Sequence, residues 1–194
     1  MKSSTRGKTL YLAQMAMLCA ILLIMSFTPL GYLRIGAGLE ISFMTVPVVL
    51  GAMLLGPMAG ATMGLFFGLS SLSQCFGLSL FGTTLFGIQP VYMVITCIVP
   101  RILFGLISGL VFRSMKGKKL AYPVAALCGV AGNTVLFLGA VLLLFGQTDY
   151  IRSFGSGVWQ ILYAMGLLNA LVEIPVCTAL SAVLTRACEK ILRK

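Results

Sequence analysis

The chain has 194 residues, of which 59% are apolar and only 9% are charged, and its formal net charge is +10. The mean hydropathy of +1.06 and the few charges exclude an ordinary soluble domain, in which about 25% of residues are charged. The basic residues flank long apolar segments instead of forming a stripe with exposed aromatic residues, which argues against a nucleic-acid-binding protein. The composition therefore predicts a membrane protein.

Six apolar segments approach the length of about 20 residues that a helix needs to cross the hydrocarbon layer. In chain order, these predicted spans are 10–29, 42–55, 58–75, 91–112, 120–145 and 158–184. We expect a tight turn at Gly56-Pro57, because the second and third segments together are too long for one crossing. The predicted fold is an all-α membrane protein, a compact bundle of six transmembrane helices in a single domain over residues 1–194.

Eleven of the fourteen Lys and Arg residues lie in three short clusters. These comprise Lys2, Arg6 and Lys8, then Arg113, Lys116, Lys118 and Lys119, and finally Arg186, Lys190, Arg193 and Lys194. Lys and Arg accumulate in cytoplasmic loops, and six spans place all three clusters on one side of the membrane. We therefore predict that both termini are cytoplasmic and that the longer connections, 30–41, 76–90 and 146–157, lie outside. Because long connections often bind ligands, we expect binding at the outer face.

The residue types that are missing exclude several kinds of chemistry. The chain has no His and only four acidic residues, which disfavours a hydrolytic triad or a metalloenzyme site. We expect neither an enzyme nor a bound metal or cofactor. A P-loop is also missing, since Gly117-Lys118 has Phe112 where the first glycine should be and Lys119 where Ser or Thr should be. Uphill transport would therefore need an ion gradient or partner subunits.

Two charged residues, Arg101 and Glu173, lie inside predicted spans. A charge in the membrane is normally paired or faces a water-filled cavity, and both residues lie on the order of 15–22 Å from the outer end at 1.5 Å per residue. They could neutralise each other, bind polar groups of a ligand, or do both. Asn133 lies in the fifth span, and Asn169 precedes Glu173 by one helical turn. Polar groups of three helices are therefore predicted to converge at one level.

Aromatic and small residues give two further expectations. Trp159 and Tyr163 lie near an outer helix end, where aromatic rings serve as interface anchors or line a pocket for a small planar or amphiphilic solute. Ala16-x-x-x-Ala20 in the first span allows close approach of another helix. The third span has a similar run at Gly56, Gly60, Gly64 and Gly68, which we expect to pack inside the fold.

Several local strings in the chain are similar to those of a known family. They are Thr28-Pro-Leu-Gly-Tyr32, Val46-Pro-Val-Val-Leu-Gly-Ala52, Gly56-Pro-Met-Ala-Gly60, Val99-Pro-Arg101, Gly132-Asn-Thr-Val135, and Asn169 with Glu173. With six spans and Ala16-x-x-x-Ala20, this order and spacing resembles the substrate-binding S components of energy-coupling factor (ECF) vitamin transporters. The resemblance covers nearly the whole chain.

The resemblance implies a subunit that captures a vitamin or related micronutrient outside a prokaryotic plasma membrane. A transmembrane T component and two ATPases would supply the energy, and the S component would topple in the bilayer to deliver its cargo. Ala16 and Ala20 would face the T component. The implied substrate-binding residues are Tyr32, Arg101, Asn133, Trp159, Tyr163, Asn169 and Glu173.

The substrate and one rival function stay open from the sequence. The strings look most like those of pantothenate-type or still unassigned S components, so pantothenate is the preferred substrate. A carboxylate-bearing ligand would give Arg101 a partner, but so would Glu173. The alternative is a stand-alone ion-coupled carrier or channel that uses Glu173 as its cation or proton site.

Overall fold

The computed structural model describes residues 2–28, 31–35, 39–118, 120–153, 157–162 and 168–192. Nine helices and one two-stranded hairpin occur in this part of the chain. Their order is α1 (Lys2–Phe27), β1 (Tyr32–Ile35), β2 (Leu39–Ser42), α2 (Thr45–Leu55), α3 (Pro57–Gln74), α4 (Leu80–Ile88), α5 (Pro90–Ser114), α6 (Ala121–Phe145), α7 (Asp149–Arg152), α8 (Val158–Leu162) and α9 (Leu168–Leu192).

Helices dominate the fold, as predicted, and four of those described are long and apolar enough to cross a membrane. These are Gly7–Phe27 of α1, the whole of α5 and α6, and Asn169–Lys190 of α9. The second and third predicted spans correspond to α2, an apolar helix of 11 residues, and to the 18-residue α3. A helix of 11 residues reaches only about 16 Å at 1.5 Å per residue. The count of six crossings therefore stays a prediction.

Three predicted connections contain secondary structure. Residues 30–41 include all of the hairpin except its last residue, Ser42; β1 and β2 pair antiparallel, and Arg34 is the cross-strand partner of Glu40. Its strands alternate polar with apolar residues, the period of a half-buried strand. The connections 76–90 and 146–157 contain the short helices α4 and α7.

The last predicted span, 158–184, differs from the structure at both ends. It begins as the five-residue α8, residues 163–167 lie outside the described part, and α9 then runs to Leu192. The helix passes the predicted end because Arg186, Glu189 and Lys190 are good helix formers that continue it as a polar segment.

The closest contact in the bundle is between α3 and α5. A Cβ added at Gly60, Gly64 or Gly68 would lie only 2.4, 2.1 or 2.9 Å from a backbone oxygen of α5, at Gly105, Arg101 or Cys97 respectively. As the residue number rises along α3, the number of the contacting residue falls along α5, so the two helices run antiparallel. The four-residue spacing keeps the glycines on one face, where small residues let two backbones touch. The expectation that this run packs inside the fold is confirmed for Gly60, Gly64 and Gly68, whereas a Cβ added at Gly56 would meet nothing within 4 Å.

The turn before this run is also confirmed. Gly56 is the single residue between α2 and α3, and its φ of 103° lies in the region that side chains with a Cβ rarely adopt. Pro57 follows as the first residue of α3, where its missing N–H costs no hydrogen bond. Gly56-Pro57 therefore forms a tight turn in which a single residue connects α2 to α3.

Replacing Gly64 with alanine should destabilise the protein strongly, because the new Cβ would meet a backbone oxygen that cannot rotate away. Overpacking of this kind typically costs about 1–3 kcal/mol. Gly139→Ala in α6 is the matched control, since a Cβ there meets nothing within 4 Å. Thermal unfolding in detergent measures both variants. Equal unfolding temperatures for the two would contradict the close helix approach.

The bundle has two distinct ends. The α2–α3 turn, the last turn of α5 and Glu189 of α9 line one cavity, and Gln14 of α1 lines a groove with Leu55 and Cys188. The N-terminal part of α1, the α5–α6 connection and the end of α9 therefore share one end, which we call the basic end because these segments carry the described basic residues Lys8, Arg113, Lys116, Lys118, Arg186 and Lys190. The hairpin contacts α9 at Glu173, towards the opposite end, which we call the hairpin end.

Candidate functional site

Arg101 is held in the middle of α5 by a contact that the preceding residue creates. Pro100 lies inside the helix and has no N–H, so the carbonyl of Thr96, four residues earlier, loses its helical donor. Arg101 Nη1 donates to this oxygen over 2.8 Å. The guanidinium carbon also lies 4.3 Å from the ring centroid of Phe137 and 5.5 Å from that of Phe67, within the range of cation–π attraction. Arg101 is buried, with 8% of its surface exposed.

Asn133 of α6 shares a helix face with Phe137, the ring nearest to the Arg101 guanidinium. Phe137, which touches the guanidinium, is one helical turn beyond Asn133 and so shares its face. The Asn133 Oδ1 atom is buried and accepts no hydrogen bond from any residue that the structure describes. Because buried polar atoms are almost always hydrogen-bonded, this oxygen is a candidate acceptor for a ligand hydroxyl or amide.

Glu173 holds the hairpin against α9. The backbone N–H of Ser42, the last residue of β2, donates to Glu173 Oε2 over 3.2 Å, and the Cys177 thiol donates to the Ser42 carbonyl over 3.4 Å. Glu173 and Cys177 are one turn apart on α9, so together they hydrogen-bond both the backbone N–H and the backbone carbonyl of Ser42. The contacts described for Glu173 therefore lie at the hairpin, and those for Arg101 lie between α3, α5 and α6.

The other residues implied as substrate-binding differ in exposure, and two of them have side chains outside the described part. Asn169 is half-buried in the first turn of α9, one turn before Glu173. Trp159 of α8 has 78% of its surface exposed, which fits an interface anchor better than a pocket wall. Tyr32 is in β1, but its side chain lies outside the described part, as does all of Tyr163. Among the described residues, Asn133 thus shares a helix face with the ring that contacts Arg101, and Glu173 bonds to the hairpin.

Several residues of this site were not predicted from the sequence. Phe67 and Phe137 flank the guanidinium, and Ser42 and Cys177 join the hairpin to α9. Two features of the sequence point to part of this arrangement. The proline before Arg101 indicates an orphaned carbonyl one turn back, and the four-residue spacing of Asn133 and Phe137 indicates a shared face. Nothing local marks Phe67 or Ser42, since their contacts come from distant parts of the chain.

The small residues of α1 are on its outer surface. Ala16 and Ala20 are both exposed, whereas Leu18 and Leu22 of the same helix are buried in the core. The helix therefore packs on the bundle through its leucines and presents the two alanines outward. An exposed small-x-x-x-small pair is a surface on which another helix can pack closely.

Comparison with known proteins supports the resemblance seen in the sequence. Residues 10–185 match the family model of the ECF transporter, substrate-specific component. The chain is 29% identical over 157 residues to the pantothenic acid transporter PanT of Lactococcus lactis subsp. cremoris, covering 75% of this chain and 76% of that protein. It is 32% identical over 162 residues to the pantothenate transporter PanT of Leuconostoc mesenteroides subsp. mesenteroides, covering 79% and 77%. The chain therefore belongs to the family of substrate-specific components of ECF transporters.

Proposed function

We propose that this membrane transport protein binds pantothenate with high affinity and delivers it into the cell with energy from partner ATPases, through a transmembrane T component. Family membership supports vitamin uptake by a multi-pass membrane protein. The two relatives that carry the name of a pantothenate transporter support this substrate. The observation that carries the proposal is the buried guanidinium of Arg101 against the ring of Phe137, with the buried Asn133 oxygen one helical turn before that ring on α6.

The chemistry of these two groups suits pantothenate. Its carboxylate is a natural partner for a guanidinium, which has five N–H donors and can hold an anion while it also bonds the Thr96 carbonyl. The hydroxyls and amide N–H of the vitamin are donors for the buried Asn133 Oδ1. Phe67 and Phe137 supply apolar surface beside the guanidinium, which suits the branched methyl groups of the vitamin.

The hairpin and the basic end give the proposed direction of binding. Lys and Arg clusters favour the cytoplasmic side, so the basic end, with both termini, would face the cytoplasm and the hairpin end would face outside. The hairpin is fastened to α9 by only two described bonds, from Ser42 to Glu173 and from Cys177 to Ser42. We infer that ligand enters beside this hairpin.

Calorimetric titration of the purified chain tests the substrate. We expect saturable one-to-one binding of pantothenate. Pantothenol, which has an alcohol group in place of the carboxylate, should bind much more weakly. Hydrogen bonds to charged groups contribute about 1.5–3 kcal/mol, so the alcohol should bind about 10- to 150-fold more weakly. Equal affinity for the two compounds would exclude a carboxylate contact. Binding of a different vitamin but not of pantothenate would overturn the assignment.

A further inference from the structure

Two cavities of different character meet at the C-terminal end of α2. The first is an apolar groove of about 530 Å³ between α1, α2 and α9. The second, of about 500 Å³, lies at the basic end, between the α2–α3 turn, the end of α5 and α9. Leu54 and Leu55 line both cavities, so one adjoins the other.

The groove has the length and chemistry of a site for one hydrocarbon chain. Its walls include Met17, Ile21, Leu180 and Leu184, and its polar lining residue, Gln14, lies towards the basic end. Along α2 the lining runs from Val46 to Leu55, which is about 13 Å at 1.5 Å per residue. One leaflet is about 15 Å deep, half of the hydrocarbon core of about 30 Å. The groove therefore matches the depth of a single leaflet.

The second cavity adds positive charge at the end of the groove. Arg113 and Lys116 line it together with one acidic residue, Glu189. The Glu189 carboxylate accepts a hydrogen bond from the Tyr122 hydroxyl. Because two cations and one carboxylate line the cavity, its lining carries a net positive charge. An Arg and a Lys that line one cavity can bind a phosphate together, because Arg binds it through paired N–H donors and Lys as a point charge.

We propose that the two cavities together bind one anionic phospholipid, with an acyl chain in the groove and the phosphate at Arg113 and Lys116. A groove with apolar walls alone would accept any hydrocarbon chain. The adjoining cations select an amphiphile whose negative group lies at the mouth of the groove, and juxtamembrane cations favour anionic headgroups. The site is distinct from the Arg101–Asn133 region, which α5 and α6 form further from the basic end.

Native mass spectrometry of the detergent-purified chain tests the proposal, with dioleoyl phosphatidylglycerol and dioleoyl phosphatidylcholine as probes. We expect one tightly bound phosphatidylglycerol, about tenfold tighter than phosphatidylcholine, from the attraction of two cations to an anionic lipid. The double variant Arg113→Gln/Lys116→Gln should lose this preference. Lys118→Gln, an exposed neighbour outside the residues that line the cavity, should keep it.

Filling the groove gives a second, independent readout. Leu184→Trp should weaken both lipids equally, whereas Leu143→Trp on α6, where the leucine is 87% exposed, should weaken neither. Equal affinity of the unchanged chain for the two lipids would overturn the proposal. So would a preference that survives in the double variant. If Leu184→Trp leaves lipid binding intact but prevents association with the T component, the groove is a protein interface and the lipid assignment is wrong.

Discussion

Replacing Ala16 or Ala20 with tryptophan should abolish pantothenate uptake while leaving pantothenate binding unchanged. Both alanines are exposed on α1, so a larger side chain at either position can extend away from the core. The same side chain would hold a partner helix away, because small-x-x-x-small contacts require backbones to touch. Uptake of labelled pantothenate by cells that also express the T component and the ATPases should fall to background.

The matched control for these variants is Leu127→Trp on α6, where the leucine is 45% exposed. It adds a similar ring to another exposed helix face and should leave uptake unchanged. Calorimetric titration of each purified variant should give the affinity of the unchanged chain. If Ala16→Trp or Ala20→Trp lost pantothenate binding, these residues would belong to the binding bundle and not to a coupling surface.

Replacing Arg101 with alanine should remove both pantothenate binding and part of the stability of the chain. The substitution deletes the donor to the Thr96 carbonyl and the cation between two rings. An unsatisfied buried acceptor costs about 1–3 kcal/mol. The lost charge-assisted contact should weaken pantothenate by at least about tenfold. One variant alone cannot separate these two effects, because an unstable site also binds poorly.

A double variant separates the two roles of Arg101. Pro100→Ala restores a backbone N–H that can donate to Thr96 in the ordinary helical pattern. In Arg101→Ala/Pro100→Ala the unfolding temperature should therefore recover, while pantothenate binding should not. Pro100→Ala alone is the control and should retain binding. If affinity recovered together with stability in the double variant, Arg101 would be structural and would not contact the vitamin.

The parts of the fold that the sequence predicts well depend on local residue patterns. Glycines at four-residue spacing predict the face on which α3 meets α5, and Gly56-Pro57 predicts the turn before it. The three basic clusters predict their shared end of the bundle, because like charges at helix ends belong on one side of a membrane. Each of these patterns lies within a few helical turns of one segment, so it can be recognised in a single sequence.

The parts that the sequence does not predict depend on distant contacts. The strands Tyr32–Ile35 and Leu39–Ser42 are too short for a strong alternation signal, and the hairpin is fastened by residues of α9, more than 130 positions away. The surroundings of Arg101 likewise combine Phe67 of α3 with Phe137 of α6. Spacing along the chain places Arg101 and Glu173 at a similar depth but does not show which partners each will find.

The most direct test of the proposed function is transport by the chain reconstituted in liposomes, with and without its proposed partners. The chain alone should bind labelled pantothenate at the hairpin end and accumulate none, with or without an imposed proton or sodium gradient, because the proposed mechanism takes its energy from ATP and this chain has no P-loop with which to hydrolyse it. Addition of the T component and the two ATPases should give uptake that requires ATP. Gradient-driven accumulation by the chain alone would contradict this account and favour an ion-coupled carrier that uses Glu173.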